Sequence, residues 1–146
     1  MHPEVGSIMA YFYQIFPYKV YQKEVPSNIV TPSLYFPTTN DFDSNDTLST
    51  FKKTYTLSVK LFHKDSVKAK EEADRIADSV RRKRNIIPLL NADGSQTGDY
   101  IRISRIESRI GDSAVASIIL TWDSHYYYDR EEVQAFENFN IDSGVK

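Results

Sequence analysis

The sequence predicts an α+β protein in which a mostly antiparallel, twisted sheet carries one long amphipathic helix. In the segment 55–61 every odd residue is apolar and every even residue is polar, which predicts a strand with one buried face. The period then becomes helical, because apolar residues recur at intervals of three and four. These residues are Ala69, Ala73, Ile76, Ala77 and Val80. Two long strands, 100–110 and 114–128, flank a short polar turn and predict a C-terminal β-hairpin.

Composition restricts the chain to one globular domain. A length of 146 residues is enough to bury a core but short for two domains. The chain is 40% hydrophobic and 26% charged, which is typical of globular proteins. No apolar run approaches the ~18 residues of a membrane-spanning helix, so we expect no membrane partner. We assign residues 1–128 to a single domain and residues 129–146 to an acidic C-terminal arm or tail.

Charge and cysteine content exclude further classes. The formal net charge of −2 gives the whole molecule no attraction to nucleic acid. Cysteine is absent, which excludes disulfides and thiolate metal sites and is compatible with a reducing cytoplasm. The N-terminus lacks the basic region and cleavage site of a secretion signal. Ten Tyr and eight Phe fit either a sheet-rich domain or surfaces buried against another protein, and both interpretations stay open.

The N-terminal third predicts a short helix followed by two short strands. An apolar and aromatic segment with helical spacing predicts a helix over residues 1–16. Pro17 ends this helix, because proline lacks an N–H and disfavours helix in the residue before it. Segments 18–24 and 33–36 predict strands between proline-containing turns. Residues 37–50 are polar and rich in turn formers, so they predict a loop.

The boundaries of the later elements also follow from local chemistry. Asp65 or Ser66 is suited to cap the long helix. Residues 86–90 predict a short extended segment, and residues 91–99 predict a turn. In the first strand of the hairpin the parity of the isoleucines changes after Ile103, which predicts a β-bulge at residues 104–105. At ~3.3 Å per residue a strand of about 15 residues reaches ~50 Å, so either the strand bends or the hairpin tip leaves the domain.

Residues suited to catalysis or metal binding are few and scattered. His2, His63 and His125 lie far apart, and no metal-ligand spacing, phosphate loop or nucleophile elbow is present. Asp123 lies two residues from His125 on the same strand face, but an ordinary surface histidine is the simpler interpretation. We therefore expect no catalytic site, metal or cofactor.

A basic run ends the predicted helix and has three interpretations. Its residues are Arg81, Arg82, Lys83 and Arg84. Positive charge here compensates the helix dipole. The run is also the best candidate for nucleic-acid contact, although four consecutive helical residues splay around the axis. Pairing with the acidic C-terminal segment of a neighbouring subunit is the third possibility.

A proline-bounded pattern near the N-terminus carries a family resemblance. It consists of Phe16-Pro17, Val20-Tyr21, Pro26, Pro32-Ser33 and Tyr35-Phe36, followed by one amphipathic helix and a long hairpin. Over roughly residues 8–128 the chain resembles the tail terminator (tail completion) proteins of long-tailed bacteriophages. The resemblance implies a non-enzymatic virion protein without a cofactor. Such proteins form a hexameric ring that caps the tail tube, ends its polymerisation and docks on the head connector.

The resemblance also implies a location, and the residues themselves suggest two sets of contacts. The ring would lie at the head–tail junction after assembly in the host cytoplasm, with DNA passing through its lumen without specific binding. Candidate contacts with the tube, connector or lumen are Asp41, Phe42, Asp43, Asp46, Gly111, Asp112 and Ser113. Candidate contacts between subunits are the basic run Arg81, Arg82, Lys83 and Arg84, the apolar Val115 and Ile119 on an otherwise polar face, and Glu131, Glu132, Phe136 and Phe139.

Three alternatives remain open at this point. A neck adaptor or head-completion protein would lie one ring higher, and the sequence separates it poorly from a terminator. A small nucleic-acid-binding module would use the basic run, and its binding would depend on salt. A small-ligand enzyme would need a site around His125 and Asp123.

Overall fold

Residues 3–129, described by a computed structural model, form two helices and seven strands. The helices are α1 (Pro3–Ile15) and α2 (Ser66–Arg82). The strands are β1 (Lys19–Gln22), β2 (Ser33–Phe36), β3 (Asn40–Asn45), β4 (Thr50–Phe62), β5 (Ile86–Leu90), β6 (Gln96–Ile110) and β7 (Val115–Tyr127). The α+β class, the short first helix, the long second helix and the C-terminal hairpin are confirmed.

The strands form one mixed sheet in the order β1-β2-β4-β7-β6-β5, with β3 also paired to β4. Within the described residues β1 and β2 are parallel, and the other neighbouring strands are antiparallel. The ladder between β4 and β7 is the longest and runs from Thr50–Tyr127 to Phe62–Val115. On the far side of β4, β3 pairs with its first half and β2 with its last residues.

The core lies between one face of the sheet and the two helices. On β4 the odd residues Tyr55, Leu57, Val59 and Leu61 are buried, as the alternation predicts. Their partners on β7 are also buried, and the α2 stripe packs on them. The stripe residues Ala69, Ala73, Ile76, Ala77 and Val80 are all fully buried. Helix α1 contributes Val5, Ile8 and Phe12 to the same core.

Local chemistry explains the ends of α2. The Asp65 carboxylate accepts a hydrogen bond of 2.7 Å from the backbone N–H of Lys68, so Asp65 is the N-cap. At the other end Arg84 and Asn85 adopt left-handed backbone angles, with φ of 61° and 59°. The chain thereby turns into β5, and the Asn85 carbonyl accepts a bond of 2.7 Å from the N–H of Ile103 on β6.

Neither described helix is long and apolar enough to cross a membrane.

A β-bulge sends β6 away from β7. The register of the β6–β7 pairing shifts between Ile103 and Arg105, which leaves Ser104 as the extra residue and confirms the predicted bulge. Isoleucines on both sides of the bulge are therefore buried together. The pairing ends at Ile103–Trp122, and the earlier part of β6 pairs with β5 instead. The strand thus bends.

Two predicted loop boundaries are wrong. Residues 37–50 contain β3, and β4 begins at Thr50 rather than at residue 55. Residues 91–99 likewise include the start of β6 at Gln96. Every residue of β3 is exposed, so its sequence shows no alternation of apolar and polar residues. Backbone hydrogen bonds to β4 hold this edge strand in place, and such bonds do not require any pattern of apolar side chains.

Close packing of α2 on the sheet predicts a position-dependent cost for larger side chains. Ala73→Leu is expected to lower the free energy of unfolding by about 1–3 kcal/mol, because this site is fully buried. Glu71→Leu introduces the same side chain at an exposed position of the same helix and is expected to change it by less than ~0.5 kcal/mol. Urea unfolding followed by circular dichroism measures both. Equal losses in the two variants would contradict the packing.

Candidate functional site

The predicted tube and connector contacts lie at opposite ends of the β4–β7 ladder. Asp41, Phe42 and Asp43 are on β3, and Asp46 begins the turn from β3 into β4. The other set, residues 111–113, lies in the β6–β7 connection beside the last residue of β4. With twelve steps of ~3.4 Å between the terminal pairs, the two ends are about 40 Å apart. The structure therefore forms two separate surfaces.

The first surface is the terminal ribbon, which we define as β3, the turn 46–49, residues 50–54 of β4 and residues 123–127 of β7. Residues 123–127 pair with β4 on one side, and β6 has already left on the other. Strand β3 pairs with β4 alone. Among the strands of residues 3–129, none therefore pairs with either outer edge of this ribbon.

The carboxylates of the terminal ribbon interact with neighbours within it. Asp41 lies 2.8 Å from the Lys53 ammonium, and this hydrogen bond raises the pKa of Lys53. Asp46 accepts bonds of 2.9 Å from the Thr50 hydroxyl and 2.9 Å from Nδ1 of His125. These two bonds, the one from Thr50 first, lower the pKa of Asp46 below its ordinary value. The ribbon is thus acidic but partly neutralised from within.

His125 does not pair with Asp123, the neighbour that the sequence suggested as its one possible partner. Asp123 instead accepts a bond of 2.7 Å from the Thr54 hydroxyl across the β4–β7 ladder. His125 interacts with Asp46, which reaches it from the turn after β3. Sequence proximity on one strand suggested the wrong partner, because the predicted loop hid the hairpin that carries Asp46.

Aromatic residues support and extend the terminal ribbon. Phe51 stacks on Tyr126 with ring centroids 5.5 Å apart and contacts Tyr128 at 5.3 Å. The Tyr126 and Tyr55 hydroxyls are 2.8 Å apart, and burial is the main cause that raises the pKa of Tyr55 far above its ordinary value. The ribbon also exposes large apolar side chains to solvent. These are Phe42, Leu48 and Tyr127, with Tyr128 beside them at the end of β7, and Leu48 and Tyr127 were not predicted as contacts.

The second surface, the hairpin end, is fastened to the start of α2. The Ser66 hydroxyl donates to the Gly111 carbonyl at 3.3 Å and accepts from the N–H of Ala114 at 3.2 Å. The hairpin tip therefore stays on the domain. Asp112 and Ser113 are exposed here. Val67 and Ile110, which were not predicted as contacts, are also apolar and exposed at this end, with exposed fractions of 65% and 58%.

The basic run divides into one arginine whose side chain bonds within the chain and three residues whose side chains make no such bonds among the described residues. Arg81 donates to Asp78 at 2.8 Å and to the Ile106 carbonyl at 3.0 Å, so it ties α2 to β6. Its neighbours Arg82, Lys83 and Arg84 are exposed. They lie at the end of α2 and in the turn after it, where Asn85 bonds to β6. We call these three residues the basic patch: Arg82, Lys83 and Arg84.

The remaining predicted subunit contacts have mixed outcomes. Val115 and Ile119 are half-buried on the sheet face opposite the helices. Glu131, Glu132, Phe136 and Phe139 lie outside the described residues. Across residues 3–129 no group of three or more histidine or carboxylate side chains could hold a metal ion. The described residues thus present exposed surfaces with distinct charge.

Comparison with known proteins identifies the family. A family model described as phage tail terminator protein matches residues 6–135. The chain belongs to the phage tail terminator family. Two Bacillus subtilis (strain 168) relatives align over the full length of both chains: the uncharacterized protein YqbJ at 51% identity and the phage-like element PBSX protein XkdJ at 49%. The family match continues past residue 128, into the segment predicted to be a separate arm.

A solved structure is also similar to this terminator family member. It is a chain from the virion of a native gene transfer agent particle, with 14% identity and a TM-score of 0.45. The alignment covers 88% of this chain and all of that one. Family membership by itself confirms the resemblance and makes the protein a structural component of phage virions.

The interactions of Asp46 predict a change in its titration. Thr50→Val removes the hydroxyl that contributes most to the lowered pKa, so the pKa of Asp46 is expected to rise toward its ordinary value. Since the folded pKa lies below the unfolded one, the stabilisation from Asp46 is present above the unfolded pKa. It is lost as the pH falls through the folded pKa.

Carboxylate NMR titration of the parent and the variant measures this change. Thr56→Val, farther along β4 and paired with Asn40, is the matched control and should leave the Asp46 titration unchanged. An unchanged Asp46 pKa in Thr50→Val would show that the Thr50 bond is absent in solution.

Proposed function

We propose that this protein forms a hexameric ring that caps the phage tail tube, ends its polymerisation and joins the tail to the head connector. The family match over residues 6–135 carries this proposal. The described surfaces support it, because exposed apolar and charged groups occur at both ends of the β4–β7 ladder. Its proposed location is the head–tail junction, and the proposed role is non-catalytic and needs no cofactor.

A ring places two demands on each subunit, and the fold supplies candidates for both. Contacts around the ring must join two different surfaces of the same chain, because identical patches facing each other would close a dimer. Contacts above and below the ring must occur at opposite ends of the subunit. With the β4–β7 ladder along the ring axis, the hairpin end and the tip of the terminal ribbon would face opposite neighbours.

We assign the axial contacts to the exposed groups at these two ends. At the hairpin end they are Gly111, Asp112 and Ser113. At the ribbon end Asp46 begins the tip and Leu48 is its most exposed apolar residue. One end would meet the tail tube protein and the other the head connector. DNA would pass through the lumen without specific binding, since carboxylates repel phosphate groups.

Subunit contacts are proposed to involve the exposed members of the basic run and the open face of the sheet. Val115 and Ile119 would be covered there by a neighbouring subunit. The acidic segment with Glu131, Glu132, Phe136 and Phe139 would add to the same contact. We further propose that residues 1–128 act as one domain and residues 129–146 as an arm.

The proposed function predicts both a mass and an activity. Light scattering after size exclusion is expected to give six times the 16.9 kDa chain mass for the free protein, with rings in negative-stain images. If the ring forms only on tail tubes, the images are expected to show it at the tube end. Addition of the protein to polymerising tail tube protein is expected to stop tube growth. Asp112→Arg should preserve the ring but weaken binding to tube or connector. Glu24→Arg makes the same charge change at an exposed site between β1 and β2 and should have no effect.

Other outcomes of these measurements would replace the proposal. Binding to the connector together with unimpeded tube growth would indicate a neck adaptor or head-completion protein. Retention on duplex DNA that weakens with added salt, without ring formation, would indicate a nucleic-acid-binding module. Full capping activity in Asp112→Arg would show that the hairpin end makes no axial contact.

A further inference from the structure

We propose that the outer edge of the terminal ribbon of one copy packs against the basic patch of the next copy, and that this head-to-tail contact closes the ring. The inference rests on the proposed ring and names the surfaces that form it. It assigns Asp41, Phe42 and Asp43 to a neighbouring copy of the chain rather than to the tube, the connector or the lumen.

Strand order puts these two surfaces on opposite lateral sides of the subunit. From β3 the sheet continues through β4, β7 and β6 to β5, so β3 is at one side and β5 at the other. The basic patch lies at the β5 side, where the α2–β5 turn bonds to β6. Three strands, β4, β7 and β6, lie between the two sides. The ribbon edge therefore does not reach the basic patch of its own chain, whereas a neighbour placed side by side does.

The ribbon edge has the properties of a surface that another protein covers. Among the strands that the structure describes, β3 pairs with β4 alone, and both of its faces are exposed. Phe42 is 64% exposed at its centre, on a strand whose other residues are polar. Exposed edge strands readily pair or pack with another chain. A narrow ribbon of this kind also gains order when a neighbour buries one side.

The charges of the two surfaces indicate that the neighbour is another copy of this chain. Asp41 and Asp43 lie two residues apart on β3 and share the ammonium of Lys53, which pairs with Asp41 and lies opposite Asp43. Lys52 lies opposite Ser44, so the ribbon sets two lysines against the four carboxylates of Asp41, Asp43, Asp46 and Asp123 and keeps a net negative charge. The basic patch gathers three exposed cations, Arg82, Lys83 and Arg84. Surfaces of opposite charge on opposite sides of one chain favour head-to-tail association of identical copies.

Charge reversal on either surface tests the contact. The ribbon variant Asp41→Asn with Asp43→Lys makes the edge positive, and the patch variant Arg82→Glu with Lys83→Glu makes the turn negative. Each variant alone is expected to lose the ring and to elute at the monomer mass. An equal mixture is expected to recover rings in which the variants alternate, because each altered surface then meets its opposite. One chain with all four substitutions is also expected to recover the ring.

Folding and charge controls accompany these measurements. Lys19→Glu with Lys64→Glu makes the same charge change at exposed sites outside the basic patch and should keep the parental ring. Circular dichroism and thermal unfolding of each variant establish that it is folded as a monomer. If the parent forms rings only on tail tubes, every sample is compared on tubes.

The outcomes separate this inference from the proposed function. Rings in the patch variant alone, or a folded mixture that stays monomeric, would overturn the contact while the parental ring stands. Loss of DNA retention in the patch variant, with intact rings, would assign the patch to nucleic acid instead. A parent that forms no ring in solution or on tubes would overturn the proposed function and this contact together.

Discussion

The antiparallel ladder between β4 and β7 is the constraint on which the rest of the structure depends. All thirteen residues of β4 pair with β7 in one continuous register. Because side chains alternate between faces, a slip by one residue would expose the whole buried set and bury the polar one. This register places Leu57 beside Leu120 and Val59 beside Ile118, and both helices pack on the face that these pairs create.

The bulge at Ser104 decides what this ladder leaves uncovered. A regular β6 would continue beside β7 to its end and cover residues 123–127. The extra residue instead turns β6 toward β5, and β7 continues with β4 and β3 as a narrow ribbon. One inserted residue thus has two effects: β6 covers the core up to Trp122, and the ribbon beyond Trp122 stays exposed. Bulges commonly end a pairing in this way.

Opposite charges serve two purposes in this molecule. Arg81 and Asp46 are used internally, since Arg81 joins α2 to β6 and Asp46 joins its turn to Thr50 and His125. Exposed pairs of this kind each contribute little to stability. Arg82, Lys83 and Arg84 remain at the surface, where charge acts on the choice of partner and on the rate of encounter. Exposed charge of this kind can therefore determine the choice of partner.

The sequence by itself determined the helices and strands in which buried apolar residues alternate with exposed polar ones. The alternation over 55–61 and the stripe from Ala69 to Val80 were sufficient, because hydrophobic burial has a period that a single segment displays. The change in parity of the isoleucines on β6 was likewise sufficient to predict the bulge. Only the tertiary structure decided that polar β3 is a strand and that His125 meets Asp46. Those features depend on backbone pairing and on contacts between distant segments, which no local pattern encodes.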